Sequence, residues 1–348
     1  MKKSFKLLAL LLALTMILSL AACSGKNAED SAAPTGDPAE SQPADNDPDE
    51  PAPAGKVFQV GISQYVTHPA LDAATQGFID AMNDKLGEDG WKYDLQNAAE
   101  DIPTCGTIAN SFVAKNVDLI MANATPALQA AATATGDIPI LGTSVTEYGV
   151  AFNIENFNGT VGGNISGTSD LAPLDQQAEM IKEWYPEAKT IGLLYCSKEA
   201  NSQYQVDTVQ GYLEGMGYTC KQYAFSDSND IQAVCQTASD NSDVLYVPTD
   251  NSAAANTPII DNICRGVTPV FCGEEGICSG CGVATLSISY YDIGYKTGEM
   301  AAEILLNGAD ISTMPIQYAP EFVKKYNPTI CEALNITVPD GYEALAQD

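Results

Sequence analysis

Residues 57–64 read VFQVGISQ and residues 190–196 read TIGLLYC. Each is a short, uncharged run rich in β-branched and apolar side chains. Each is followed by a helical pattern, Pro69–Lys85 after the first and Asn201–Met216 after the second. Apolar runs of this kind, bounded by amphipathic helices, predict parallel strands buried on both faces. The alternation continues outward from both. In the first half come strands Trp91–Asn97, Val117–Ala122 and Ile138–Gly142, with helices Thr104–Lys115 and Pro126–Thr135. In the second come helix Leu174–Trp184, strands Tyr218–Phe225, Val244–Val247, Pro269–Cys272 and Gly282–Ile288, and helices Ile231–Ala238, Ala253–Arg265 and Tyr290–Leu306. The first series ends near Phe152 and the second begins near Thr190 with the same order. That repetition predicts an α/β protein of two doubly wound lobes. Such lobes bind ligands at the carboxyl ends of their strands, so two facing edges make a cleft.

The residues at those edges carry the chemistry. In the first half they are Gln64-Tyr65 with His68 just beyond, Asn123-Ala124-Thr125 before a helix, and Gly142-Thr143-Ser144. In the second half they are Tyr195 and Ser197, then Asp250-Asn251, then Gly273-Glu274-Glu275. Helix N-termini at Thr125 and near Ser144 offer free N–H donors for an anion. Asp250 and Glu274 offer acceptors for an ammonium. Singly, each is also an ordinary N-cap or turn residue. The pairing of donors in one half with carboxylates in the other points to a ligand bearing both charges. His68, in T-H-P-A-L-D before a helix, reads as a capping or packing residue rather than a catalyst. The rings of Tyr290 and Tyr291 suit either a ligand or the core.

Composition narrows the classes. The 348 residues hold 16 Lys+Arg against 45 Asp+Glu, a formal charge of −29. So acidic a surface excludes a nucleic-acid binder, which needs a basic footprint. Arg265 is the one Arg and His68 the one His. A multi-His metal site is impossible, and any Ser/His/Asp or Cys/His set would have to be built on His68. No cofactor or metal is expected, and no enzyme activity. Cys272, Cys278 and Cys281 form C-x5-C-x2-C. They lack the second C-x-x-C and the His of a metal site, which leaves a local disulfide, buried thiols or a redox pair at Cys278/Cys281.

The N-terminus reads as an export address. Lys2, Lys3 and Lys6 precede an apolar run from Leu7 to Leu20, and small residues Ala21 and Ala22 precede Cys23. This resembles a bacterial lipoprotein precursor, which implies removal of residues 1–22 and acylation of Cys23. An ordinary cleaved leader with an incidental Cys is the alternative. Without the leader, 13 Lys+Arg remain against 45 Asp+Glu, a formal −32, with nine cysteines besides Cys23. Residues 24–55 contain six Pro, eight acidic residues and one Lys, and no large apolar side chain. Such a segment cannot offset its ordering entropy and reads as an extended tether.

Five strings resemble one family in order along the chain: GISQYVTHPALDAATQGF from Gly61, ISGTSDLAPLDQQ from Ile165, VPTDNSAAA from Val247, PVFCGEEG from Pro269 and YYDIGYKTGEMAAEIL from Tyr290. They resemble the substrate-binding lipoproteins of ABC importers, in the group that includes the tryptophan- and tyrosine-binding type. The Cys-rich stretch 272–281 departs from that pattern. The resemblance implies a type I periplasmic-binding fold, two Rossmann-like lobes joined by a three-segment hinge. Crossings fall near Thr168–Asp170, Thr285–Ser289 and Gly308–Met314, which gives a first lobe of 56–168 plus 287–308 and a second of 169–286 plus 309–348. It implies a small amino acid, expected to be aromatic, trapped between the lobes of a monomer and passed to an ABC permease. The ligand carboxylate is expected on Asn123, Ala124, Thr125, Thr143 and Ser144. The ammonium is expected on Asp250 or Glu274, beside Asn251. Gln64, Tyr65 and Tyr195 would shape the side-chain pocket, with Thr168, Ser169 and Asp170 at the hinge. The rival outputs are a ligand sensor for a signalling kinase and an exported thiol-redox protein using Cys278 and Cys281.

Overall fold

The computed structural model describes residues 55–346. The expected leader, Cys23 and the tether up to residue 54 lie outside the described residues. From Phe58 the chain lays down β1 (Phe58–Gln64), α1 (Pro69–Leu86), β2 (Trp91–Asn97), α2 (Ile102–Lys115), β3 (Leu119–Asn123), α3 (Thr125–Ala134), β4 (Ile140–Val145), α4 (Tyr148–Ala151) and β5 (Ile165–Ser169). It then crosses to form α5 (Leu174–Trp184), β6 (Thr190–Cys196), α6 (Ala200–Gly215), β7 (Thr219–Phe225), α7 (Ile231–Asp240), β8 (Val244–Val247), α8 (Asn251–Ala255), α9 (Thr257–Cys264), β9 (Val270–Cys272), α10 (Glu275–Cys281) and β10 (Ala284–Ser287). It returns for α11 (Tyr290–Asn307), a 3-10 turn (Ile311–Thr313) and β11 (Gln317–Tyr318). It crosses a third time into β12 (Val323–Tyr326), α12 (Pro328–Ala333) and β13 (Glu343–Ala344).

The strands make two sheets, ordered β11-β5-β4-β3-β1-β2 and β13-β12-β10-β9-β8-β6-β7. Every pairing is parallel except β10 with β12. Alternation explains the double burial. On β3, Leu119 and Met121 pack with Phe78 and Met82 of α1 and Met300 of α11. Ile120 and Ala122 face the other way, against Phe112 of α2 and Leu128 of α3. In the second lobe Leu193 turns toward α5 and α6, while Leu194 turns toward α7, α9 and α10. Each such aliphatic side chain contributes about 1.5–3 kcal/mol on full burial. α1 and α11 approach too closely for side chains at Gly77 and Gly294. A Cβ at either would enter the radius of a backbone carbonyl oxygen, Tyr291 or Ala74 respectively.

Several expectations need correction. The single helix Ala253–Arg265 is two, because Pro258 opens α9 and disfavours helical backbone just before it. β5 (ISGTS) has no apolar run and was not expected as a strand. It forms because β4 and β11 supply ladder partners on both sides. The third crossing is not at Gly308–Met314. Gly308 ends α11 in a left-handed cap, but Ile311 and Ile316 then bury against the first lobe, and β11 pairs with β5. The chain crosses at 319–322, so residues 309–318, expected in the second lobe, belong to the first.

Candidate functional site

The carboxyl edge of the first sheet is strained and incompletely bonded. β3 leads into Ala124, whose φ of 86° and ψ of 155° lie in a region suited to glycine, and α3 starts there without a side-chain cap. In β4 the register slips between Gly142 and Val145, and Ser144 between them has φ of 54°. Strain of this kind costs about 1–3 kcal/mol per residue and persists where function needs the shape. Four buried atoms here lack hydrogen-bond partners: Ser63 Oγ near the end of β1, Ser144 Oγ, Asn123 Oδ1 and Asp170 Oδ1. Buried polar groups are rarely left so unless something else completes them. Asp170 Oδ2 accepts from the Tyr290 hydroxyl at 3.1 Å, tying the first crossing to the start of α11. Burial pushes the Asp170 carboxyl up to about 6.

The facing edge of the second lobe is acidic. Glu274 caps α10, accepting from Gly276 N at 2.6 Å and Ile277 N at 2.5 Å. Burial pushes it up to about 7, and the nearby Asp170 adds to the rise. Asp250 caps α8 through Ala253 N at 2.8 Å and also accepts from Cys196 N at 2.7 Å. Its pKa is raised by burial and by the neighbouring Glu199. Glu199, fully buried, accepts from the backbone N–H and side chain of both Asn251 and Ser252, at 2.6–3.2 Å. No Lys or Arg is buried among the described residues.

The lobes touch across this waist. His68 Nε2 lies 3.3 Å from Asn251 Oδ1 of the other lobe, while its Nδ1 is buried and unpartnered. Ala255 of α8 packs against the core of the first lobe. A cavity of about 780 Å³ opens beside the waist, lined by Glu274, Tyr290, Ser287, Ile288 and Ala70 among others, so both lobes and the hinge shape it.

Several expected residues are placed elsewhere or are already engaged. Gln64 is consumed internally: Nε2 donates to Val66 O and Asp72, and Oε1 accepts from Thr75. Tyr65 is a core residue whose hydroxyl donates to Glu100 O at 3.1 Å. Thr143 joins Thr168 and Thr297 in a buried hydroxyl chain that anchors α11 beneath the sheet. Ser169 braces the turn, donating to Thr146 O and accepting from Leu171 N. Tyr195 turns toward α6, its hydroxyl 2.9 Å from Gln203 and Gln222, not into the waist. Thr125 is buried at the α3 N-terminus, near Ala124 and Asn123. Glu199 and Ser252 were missed, because a Glu three residues past a strand and a Ser inside a helix carry no local signal. Cys278 and Cys281 are buried in the core of the second lobe, with no solvent-facing thiol pair.

Two α/β lobes joined by three crossings, with a polar, partly unsatisfied waist between them, define the type I periplasmic-binding fold, the architecture of clamshell solute binders. A family model described as ABC transporter substrate binding protein matches residues 59–348, and the chain belongs to that family. It is 39% identical over 287 residues to a tyrosine-binding protein of Clostridioides difficile (strain R20291), spanning 81% of this chain and 82% of the relative. An ABC domain from Streptococcus pneumonia solved in complex with L-Trp is 30% identical, with a TM-score of 0.79 over 83% of this chain and 100% of that one. A ligand-free, open substrate binding protein with adhesive properties from Clostridium difficile is 38% identical, yet superposes with a TM-score of only 0.64 over 84% of this chain and 100% of that one. The more divergent, liganded structure superposes better.

Proposed function

We propose that this protein is an extracytoplasmic receptor, lipid-anchored through Cys23, that closes over an amino acid with an aromatic side chain and delivers it to an ABC permease. The observation that carries the ligand class is the set of unpartnered buried atoms at the waist. Ser144 Oγ, with the uncapped N-terminus of α3, suits a carboxylate. Asp170 Oδ1, in a carboxyl near enough to Glu274 of the other lobe to raise it, suits an ammonium. The absence of a buried cation agrees, since N–H groups and hydroxyls can hold a carboxylate without one. The tyrosine-binding relative and the L-Trp complex favour an aromatic side chain.

Asp170, with one oxygen unpartnered, therefore takes the ammonium role first expected of Asp250 or Glu274; both oxygens of Asp250 and both of Glu274 already accept internal N–H groups, and of these two Glu274 is kept beside Asp170 because it lines the cavity. Calorimetric titration with L-tyrosine and L-tryptophan tests the reading, set against tyramine, which lacks the carboxylate, and 3-(4-hydroxyphenyl)propionate, which lacks the amine. Loss of either end should weaken binding about tenfold or more. Equal affinity for all four would refute the two-ended site. Metabolic labelling with a radioactive fatty acid, lost in Cys23→Ala, tests the anchor.

A further inference from the structure

Six of the nine described cysteines, Cys196, Cys235, Cys264, Cys272, Cys278 and Cys281, gather in one core of the second lobe. Within it, Cys235 of α7 and Cys264 of α9 place their sulfur atoms 3.9 Å apart, from two packed helices. We propose that Cys235 and Cys264 are a disulfide-forming pair that staples α7 to α9 once the chain is exported. The segment they would close contains the end of α7, β8, the whole of α8 and α9 up to Cys264, with Asp250, Asn251 and Ser252. That is the edge of the second lobe that meets the first at His68. A bridge at 235–264 would fix the base of this edge and leave its waist-facing side chains untouched.

The reaction is thiol–disulfide exchange with an exported dithiol oxidase in its disulfide form. One cysteine thiolate attacks the oxidase disulfide to give a mixed disulfide and an oxidase thiolate. The second cysteine thiolate then displaces the oxidase sulfur. One S–S bond forms in this chain, one is reduced to two thiols in the oxidase, and the two protons pass to those thiols. Both side chains are fully buried in the folded lobe. The Cys235 sulfur beside it, and then burial, hold the Cys264 thiol far above its usual range. The exchange therefore takes place on the folding chain, before α7 docks on α9, and the finished bridge is shielded from reductant.

The inference rests on the extracytoplasmic placement in the functional reading, but its test is covalent and independent of ligand. The full chain, with its own leader, is produced in a bacterial host with an oxidising envelope. It is denatured without reductant, alkylated and digested for mass spectrometry. The expected result is one cross-linked peptide pair joining Cys235 to Cys264, with neither residue alkylated until reductant is added. Reduction should lower the melting midpoint by about 4 °C or more, and Cys235→Ala/Cys264→Ala should lose that response. Full alkylation of both residues without reductant, or a bridge joining Cys272 to Cys278 or Cys281 in their place, overturns the proposal. A 235–264 bridge in protein that binds no amino acid would instead leave the pair standing and count against the receptor reading.

Discussion

Ser144 and Asp170 are both buried, both short of a partner, and both at points where the backbone departs from regular structure or changes lobe. Ser144→Ala and Asp170→Asn should each weaken amino-acid binding about tenfold or more, as loss of a hydrogen bond to a charged group predicts. Calorimetry at neutral pH checks this. The same carboxyls set a pH dependence. Burial pushes the Asp170 carboxyl up to about 6 and the Glu274 carboxyl up to about 7. An ammonium between them pulls both values down and so expels protons on binding. Affinity should therefore be fullest above about pH 7.5 and fall as pH drops through 7 toward 5. Titrations across that range measure it, and a flat profile would place the ammonium elsewhere. Thr143 shows the limit of reading single residues. Thr143 and Ser144 are equally polar neighbours, yet Thr143 bonds Thr168 in the hydroxyl chain that reaches α11.

At the scale of elements, the longest joint is α1 against α11, drawn together by glycine. Gly294→Ala would push a methyl group into the Ala74 carbonyl, and the helices would have to separate. A loss of about 1–3 kcal/mol is expected, read as a lower denaturation midpoint. Because α11 begins with Tyr290, which bonds Asp170 across the hinge, the variant should also bind its amino acid more weakly. Three strands were legible in sequence and occur with the expected bounds: the apolar Thr190–Cys196 and Val244–Val247, and the largely polar Trp91–Asn97. β5 and α10 were not. β5 is polar and glycine-bearing and exists through its neighbours' hydrogen bonds. α10, EGICSGC, is a short helix of glycines and cysteines started by the Glu274 cap.

At the scale of the whole molecule, closure should be ligand-dependent, because Asp170 and Glu274 are buried at the waist and no Lys or Arg is buried among the described residues. Bringing an ammonium to them removes a like-charge penalty that otherwise favours opening. Small-angle X-ray scattering should show the chain contracting on saturation with its amino acid. His68→Ala removes the His68–Asn251 contact between the lobes. It should speed ligand release about threefold to tenfold with little change in the association rate, measured by stopped-flow fluorescence. An unchanged release rate would show that His68 does not help hold the closed state.

The sequence by itself determined the repeated β/α order, the two lobes, the impossibility of a multi-His metal site with His68 as the one His, and the polar residues that end the strands. These follow from periodicity, charge and composition, which are local or additive properties. Only the tertiary structure decided which polar edge residues are free and which are spent: Ser144 over Thr143, Asp170 over Asp250, and Glu199 at the centre. It also decided that the chain crosses for the last time after Tyr318 rather than near Gly308. The reason is physical. Whether a buried hydroxyl or carboxylate has a partner depends on donors brought from dozens of residues away, and no window of sequence contains them.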